Sequence, residues 1–150
     1  MAKQYDPRMH TAEHILNQTV DSMFGCGRCF SAHIEKKKSK CDYHFNRGLT
    51  EAEVSEIVKR VNEVIDQDLN VTEEFIPVSQ AQAHFNIERL PDDAGDDIRI
   101  VRVGDYDACP CIGPHVESTG QIGVFRTISS SFNDGVLRIR FKLAAPEKMD

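Results

Sequence analysis

The sequence is most informative first in what it lacks. No run of apolar residues approaches the ~18 that a membrane span requires. Met1-Ala2-Lys3-Gln4-Tyr5-Asp6 has no apolar core of the signal-peptide kind, so the expected location is cytoplasmic. There is no surplus of positive charge. A formal charge of -6 argues against nonspecific nucleic-acid binding, although it leaves room for a local basic face. The five cysteines are an odd number without a secretion signal, which speaks against a disulfide framework. Reduced thiols are left with metal binding, catalysis or core packing. Internal repeats, low-complexity tracts, evident linkers and a regular βαβ rhythm are also missing.

What is present is ordinary globular material, with 40% hydrophobic and 28% charged residues in 150. That length suits one domain with a substantial core. The expected domain is 1–150, with its core at about 8–143 and a frayed tail at 144–150.

Asp6-Pro7 reads as a helix start, and Met9, Ala12, Leu16, Val20, Met23 and Phe24 follow at helical spacing until Gly25 and Gly27. Strands are expected at 28–34 and 40–45, joined across Glu35-Lys-Lys-Lys-Ser39. Thr50-Glu-Ala-Glu53 is a capping box that opens a helix to about Asp68. A strand follows at 71–78. Ser79 is the expected cap of a short helix through Phe85, and residues 90–97 form an acidic loop. Another strand spans Ile98 to Val103, and 104–115 is expected to be a loop. A turn between Gly120 and Gly123 leads to a hairpin of 124–129 and 136–143, turned at Asn133-Asp-Gly135. These elements make an α+β, two-layer fold, with a mostly antiparallel sheet packed against two main helices.

The candidate chemistry lies in two short motifs. His10-Thr-Ala-Glu-His14 puts two imidazoles one helical turn apart on one face, and Cys111-Ile-Gly-Pro-His115 offers a thiol and a third imidazole across a turn. Three His and one Cys suit a single zinc ion. Two other arrangements use the same residue types. Cys26-Gly-Arg-Cys29 with Cys109-Pro-Cys111 would make a four-thiolate zinc site. His10 to His14 also has the order of an inverted zinc-protease motif with Glu13 as base, but no third ligand is evident on the second helix. A redox role for Cys26 and Cys29 lacks a βαβ context. Lys36, Lys37, Lys38 and Lys40 sit at a hairpin tip, either as a solvated turn or as contacts to nucleic-acid phosphates.

With both motifs placed, the chain resembles the editing domain shared by alanyl- and threonyl-tRNA synthetases, and more closely the free-standing editing proteins of the AlaX type. The residues carrying the resemblance are His10-Thr-Ala-Glu-His14-Ile-Leu, Cys111-Ile-Gly-Pro-His115-Val, Ser118-Thr-Gly-Gln-Ile-Gly123, and the stretch from Leu49-Thr50-Glu51 through Val61 to Ile65. It covers roughly residues 8–143. The resemblance implies a hydrolase that removes a wrong amino acid, serine above all, from the acceptor end of tRNA, with His10, His14, Cys111 and His115 at the positions of the family's metal site. It also implies that His10 and His14 act through a metal-bound or directly positioned water. Ser31, His33 and Gln121 become candidates for reading the serine hydroxyl or the terminal adenosine, and the four lysines for the tRNA backbone. Gly113-Pro114 before the last His is threonyl-like, whereas Ser118 to Gly123 is alanyl-like, so both tRNA identities stay open. Cys109 stands where both parent types often carry an acidic residue, and Asp107 is the nearest acid. The competing class is a zinc-stabilised module that binds tRNA or a protein without hydrolysis.

Overall fold

The computed structural model describes residues 6–84 and 97–144. The chain begins with helix α1, Pro7–Phe24. Asp6 caps it by accepting from the Met9 N–H at 3.1 Å, and Gly25 closes it in the left-handed region at φ 66°. The run from Met9 to Asn17 is buried on every side, not along one stripe. Its polar members therefore need partners inside the protein. Asn17 donates to Glu13 at 3.2 Å and accepts from the Tyr43 hydroxyl at 2.7 Å, while the Thr19 hydroxyl donates to the Ile15 carbonyl at 2.8 Å.

Strands β1, Ser31–His33, and β2, Ser39–His44, follow. The first is shorter than expected. Gly25 and Gly27 both have positive φ, and the Cys29 N–H bonds the Asn17 side chain at 3.3 Å, so residues 25–30 turn under α1 before pairing begins. Helix α2, Glu51–Asp66, starts with the capping box between Thr50 and Glu53. It buries Ile57, Val61, Val64 and Ile65 and leaves Lys59, Arg60 and Glu63 in water. Strand β3, Val71–Pro77, runs directly into α3, Val78–His84, so Ser79 lies inside the helix and not before it. Phe85, most of the expected acidic loop and the tail at 145–150 lie outside the described residues.

Strand β4, Asp97–Val103, is as expected, but β5, Asp107–Pro110, occupies part of the expected loop. Its four residues, Asp-Ala-Cys-Pro, carry too short an alternation to register as a strand in sequence. A 3-10 turn at Thr119–Gln121 leads to β6, Val124–Asn133, and β7, Val136–Ala144. Their hairpin turns at Asp134 and Gly135, with φ of 50° and 81°, the pair of positive angles that a two-residue hairpin turn requires. A register shift between Thr127 and Ser129 bends β6.

The α+β class with antiparallel strands is borne out, but the strands divide into two sheets. One is four-stranded in the order β1-β2-β7-β6, and the other three-stranded in the order β3-β4-β5. The core lies between α1, α2 and the inward face of the larger sheet, where Cys41, Tyr43, Leu137, Ile139 and Phe141 are buried together with Met9, Ile15 and Leu16. Thr119 ties α2 to the smaller sheet. Its hydroxyl donates to the Val64 carbonyl at 2.9 Å and accepts from the Leu69 N–H at 2.9 Å. No helix among the described residues is long and apolar enough to cross a membrane.

Candidate metal centre

The first turns of α1 and the loop after β5 bring four side chains together. His10, His14, Cys111 and His115 offer donor atoms that all lie within 4.8 Å of one another. The Cys111 Sγ is 3.2 Å from His10 Nε2 and 3.4 Å from His115 Nε2. Zinc bond lengths at a tetrahedral angle place sulfur and nitrogen ligands about 3.5 Å apart, so these separations match the edges of such a site. His10 and His14 are each only 3% exposed, as the apolar stripe beside them implies.

Each imidazole is turned by a group on its far side. The His10 Nδ1 donates to the Pro114 carbonyl at 3.0 Å, which leaves Nε2 as a lone pair facing Cys111. The Thr11 hydroxyl gives its proton to the Pro7 carbonyl at 3.0 Å and so accepts from the His115 Nδ1 at 2.9 Å. That assignment leaves His115 Nε2 free to ligate. His14 Nδ1 faces the Asp107 carboxylate at 3.5 Å, beyond a formed hydrogen bond. Asp107 is held in turn by Arg28 through two contacts of 2.8 and 3.2 Å. Outer partners of this kind fix ring orientation and tautomer in metal sites. The loop bearing Cys111 is braced by Arg99, whose guanidinium donates to the Gly113 carbonyl at 2.7 Å.

The electrostatics suit a cation. Burial opposes ionisation of Cys111, but hydrogen bonds from His10, His115 and His14 outweigh it and bring the thiol down to about 3. Burial likewise works against a charged His14, yet Asp107, Cys111 and Glu13 push it up to about 9. Burial and repulsion from the other two imidazoles take His115 down to about 4. Asp107 would be raised by burial, but His14 and Arg28 hold it below the usual carboxylate range. The four donors fit zinc in type, spacing and orientation.

The alternatives fare differently. The structure does not unite Cys26, Cys29, Cys109 and Cys111. Cys29 belongs instead to a buried group with Glu13 and Cys41, and Cys111 points to the imidazoles. Cys109 lies near the end of β5, and Cys111 follows in the loop beyond it. Burial pushes Cys109 up to about 12, an inert thiol. Glu13 is buried beside the site, with Oε1 3.7 Å from His10 Nε2 and Oε2 accepting from Asn17.

The residues expected to read substrate are dispersed. Ser31 and His33 lie on the face of the larger sheet that turns away from α1, and His33 pairs with Glu35 at 3.2 Å. Gln121 accepts from the Glu117 N–H at 2.9 Å. Lys36, Lys37 and Lys38 are exposed between β1 and β2, whereas Lys40 lies in β2 itself. Sequence reasoning missed Thr11, Arg28 and the orienting role of Asp107. For Asp107 its place near the second motif was a signal, while nothing marked the other two.

Fold and site together define an α+β domain with a largely buried cluster of three histidines and one cysteine. Residues 98–140 match the family described as the threonyl and alanyl tRNA synthetase second additional domain. The chain is 30% identical over 138 residues to an alanine–tRNA ligase of Acidithiobacillus ferridurans, covering 87% of this chain and 15% of that protein. For the alanine–tRNA ligase of Treponema denticola the identity is 32% over 139 residues, covering 87% and 22%. For that of Fervidobacterium nodosum it is 33% over 134 residues, covering 88% and 16%. The chain is thus a relative of alanine–tRNA ligases and matches the threonyl and alanyl tRNA synthetase second additional domain, the synthetase family that its motifs resemble. It spans between 15% and 22% of the length of these three relatives.

Proposed function

We propose that this chain deacylates mischarged tRNA, acting in trans when it acts alone, with seryl-tRNA as substrate and the centre of His10, His14, Cys111 and His115 as the working site. The observation that carries the reading is the convergence of those four donors, each imidazole aimed by a separate outer group. A synthetase pocket rejects a near-isostere poorly, so a second hydrolytic site is the chemical remedy. The relatives bear the name alanine–tRNA ligase, which favours Ser-tRNA(Ala) over Ser-tRNA(Thr).

The four side chains would hold one zinc ion, which supplies Lewis-acid chemistry toward an ester carbonyl. The chain itself turns a lone pair of His10 and of His115 toward the centre through the Pro114 and Pro7–Thr11 contacts, sets the Asp107 carboxylate against His14 through Arg28, and excludes bulk water by burying His10 and His14. In this reading Ser31 and His33, on the outward sheet face, contact the terminal adenosine. Replacing each by Ala should raise KM if that assignment is right. The whole described chain acts as one domain in this reading, in the cytoplasm.

One feature favours a second reading. Four protein ligands fill a tetrahedral zinc, as in structural sites, whereas catalytic sites keep a position open. The alternative is a zinc-stabilised module that binds tRNA or a protein without hydrolysis. The deciding experiment follows Ser-tRNA(Ala) and Ser-tRNA(Thr) beside Ala-tRNA(Ala) and Thr-tRNA(Thr), with and without chelator. Selective, chelator-sensitive loss of a serine ester supports the deacylase. Survival of all four esters with folded, zinc-loaded protein sinks it. His10→Ala separates the roles: a folded variant that binds tRNA but does not hydrolyse marks a working site, and an unfolded one a structural site.

A further inference from the structure

We infer that the outward face of the four-stranded sheet is an RNA-binding surface, built from Lys40, Arg126, Arg140 and Lys142 and distinct from the lysine turn at 36–38. Strand pairing fixes which residues share this face. Lys40 lies opposite Arg140, Asp42 opposite Arg138, and Arg126 opposite Lys142. The alternate positions, Cys41, Ile139 and Phe141 among them, point into the core. The paired positions of this face therefore carry five cationic side chains and one carboxylate, in a chain whose formal charge is -6. Asp42 is already committed to Arg138 through two contacts of 2.7 and 2.9 Å. Among the described residues no carboxylate pairs with the other four cations, and Arg140 reaches only the Ser129 hydroxyl, at 3.3 Å.

Like charges directly opposite one another across a ladder weaken a sheet. Here two such pairs, Lys40 with Arg140 and Arg126 with Lys142, stand on adjacent strands. An acidic chain that concentrates its cations this way is built for a polyanion. The rest of the face favours nucleic acid over a lipid surface. Between the cations stand Ser129 and Ser131, small donors suited to phosphate oxygens. Toward the other end, Phe30 lies stacked on His44 at 3.9 Å and stays 38% exposed, an aromatic surface on which an unpaired base can rest. The end of β7 is also tied to the start of α1. Arg8, two residues before His10, donates to the carbonyl of Ala144, the residue that ends β7 just after Lys142.

That the RNA is tRNA rests on the deacylase reading, whereas the surface itself does not, and the test keeps the two apart. The quadruple variant Lys40→Gln/Arg126→Gln/Arg140→Gln/Lys142→Gln is compared with wild type and with Lys59→Gln, an exposed control on α2. Uncharged tRNA(Ala) transcript is titrated by fluorescence anisotropy at several salt concentrations. Hydrolysis is followed on full-length Ser-tRNA(Ala) and on a seryl ester of the CCA trinucleotide. Melting curves confirm folding. The expected result is at least a tenfold loss of tRNA affinity and a salt slope shallower by up to about 3.6, each neutralised phosphate contact contributing about 0.9. The KM for full-length substrate rises with kcat kept, and the trinucleotide ester is unaffected. If neither ester is hydrolysed by wild type, the deacylase reading fails while the binding arm still tests the surface. Equal affinity and slope for the quadruple variant overturn the inference. So does binding to phosphatidylserine vesicles, but not to tRNA, that is lost in the variant.

Discussion

The Thr11 side chain stands 2.9 Å from His115 Nδ1 and hands its own proton to the Pro7 carbonyl. A residue between the two histidines of the first motif thus sets the tautomer of the last residue of the second. The same oxygen accepts from the Val116 N–H at 3.2 Å, so it also anchors the loop. Thr11→Val keeps the shape and removes the oxygen. Zinc affinity should fall about 10–100-fold, the usual cost of losing an outer partner. Competition with a chromophoric chelator measures it, and Thr11→Ser should restore it. Equal affinity in Thr11→Val would refute the orienting role.

Asp107 performs the equivalent task for His14 by charge as well as by direction. Asp107→Asn removes the carboxylate from between His14 and Arg28. We expect about 10–100-fold weaker zinc binding, with the fold kept because Arg28 is 28% exposed and can turn to water. A cobalt-substituted sample offers an independent readout, since its visible bands shift when a ligand is displaced.

Gly120 is required by a close approach. A Cβ there would come within 2.5 Å of the Asp68 carboxylate, which now accepts from the Gly120 N–H at 3.0 Å. Gly120→Ala should destabilise the protein by about 1–2 kcal/mol, in the range of mild overpacking. The clash involves the end of one side chain, so adding Asp68→Ala should recover part of the loss in a urea titration. No recovery would place the strain in the backbone.

Asp42 gives a pH dependence. Arg138 bonds its carboxylate and holds it below the ordinary carboxylate range. A depressed carboxyl stabilises the fold above the unfolded value, about 3.9, and its contribution fades as pH falls through the folded value. Asp42→Asn should therefore cost about 1 kcal/mol at neutral pH, as a hydrogen-bonded charge pair does. The gap between variant and wild-type melting temperatures should close below about pH 4. A gap that stays constant to pH 2 would show that the pair contributes nothing.

The helix ends were legible in sequence because capping is local chemistry. Asp6-Pro7, Gly25 and the Thr50–Glu53 box each act within one turn of the backbone. The Asp134-Gly135 turn was legible because few residues accept positive φ. β5 was not, because four residues with a proline and an acid have no periodic signal, and their strand is made by β4 alongside. Burial of α1 on every side was also hidden. Its glutamate, asparagine and threonines look like a polar face until Tyr43 and Cys29 arrive from residues far along the chain.

The sequence by itself determined the donors. Two histidines four residues apart on a capped helix must share a face, and a Cys-to-His turn of the same span can meet them. Only the tertiary structure decided what those donors can do, because tautomer, direction and charge depend on groups the chain order keeps apart. Pro114 aims His10, Thr11 aims His115, and Arg28 holds Asp107 against His14 across a span of 79 residues. Pairing alone likewise set Lys40 against Arg140 on one outward face. Periodicity says that strand residues alternate, but which strand lies beside which is fixed only when the core closes.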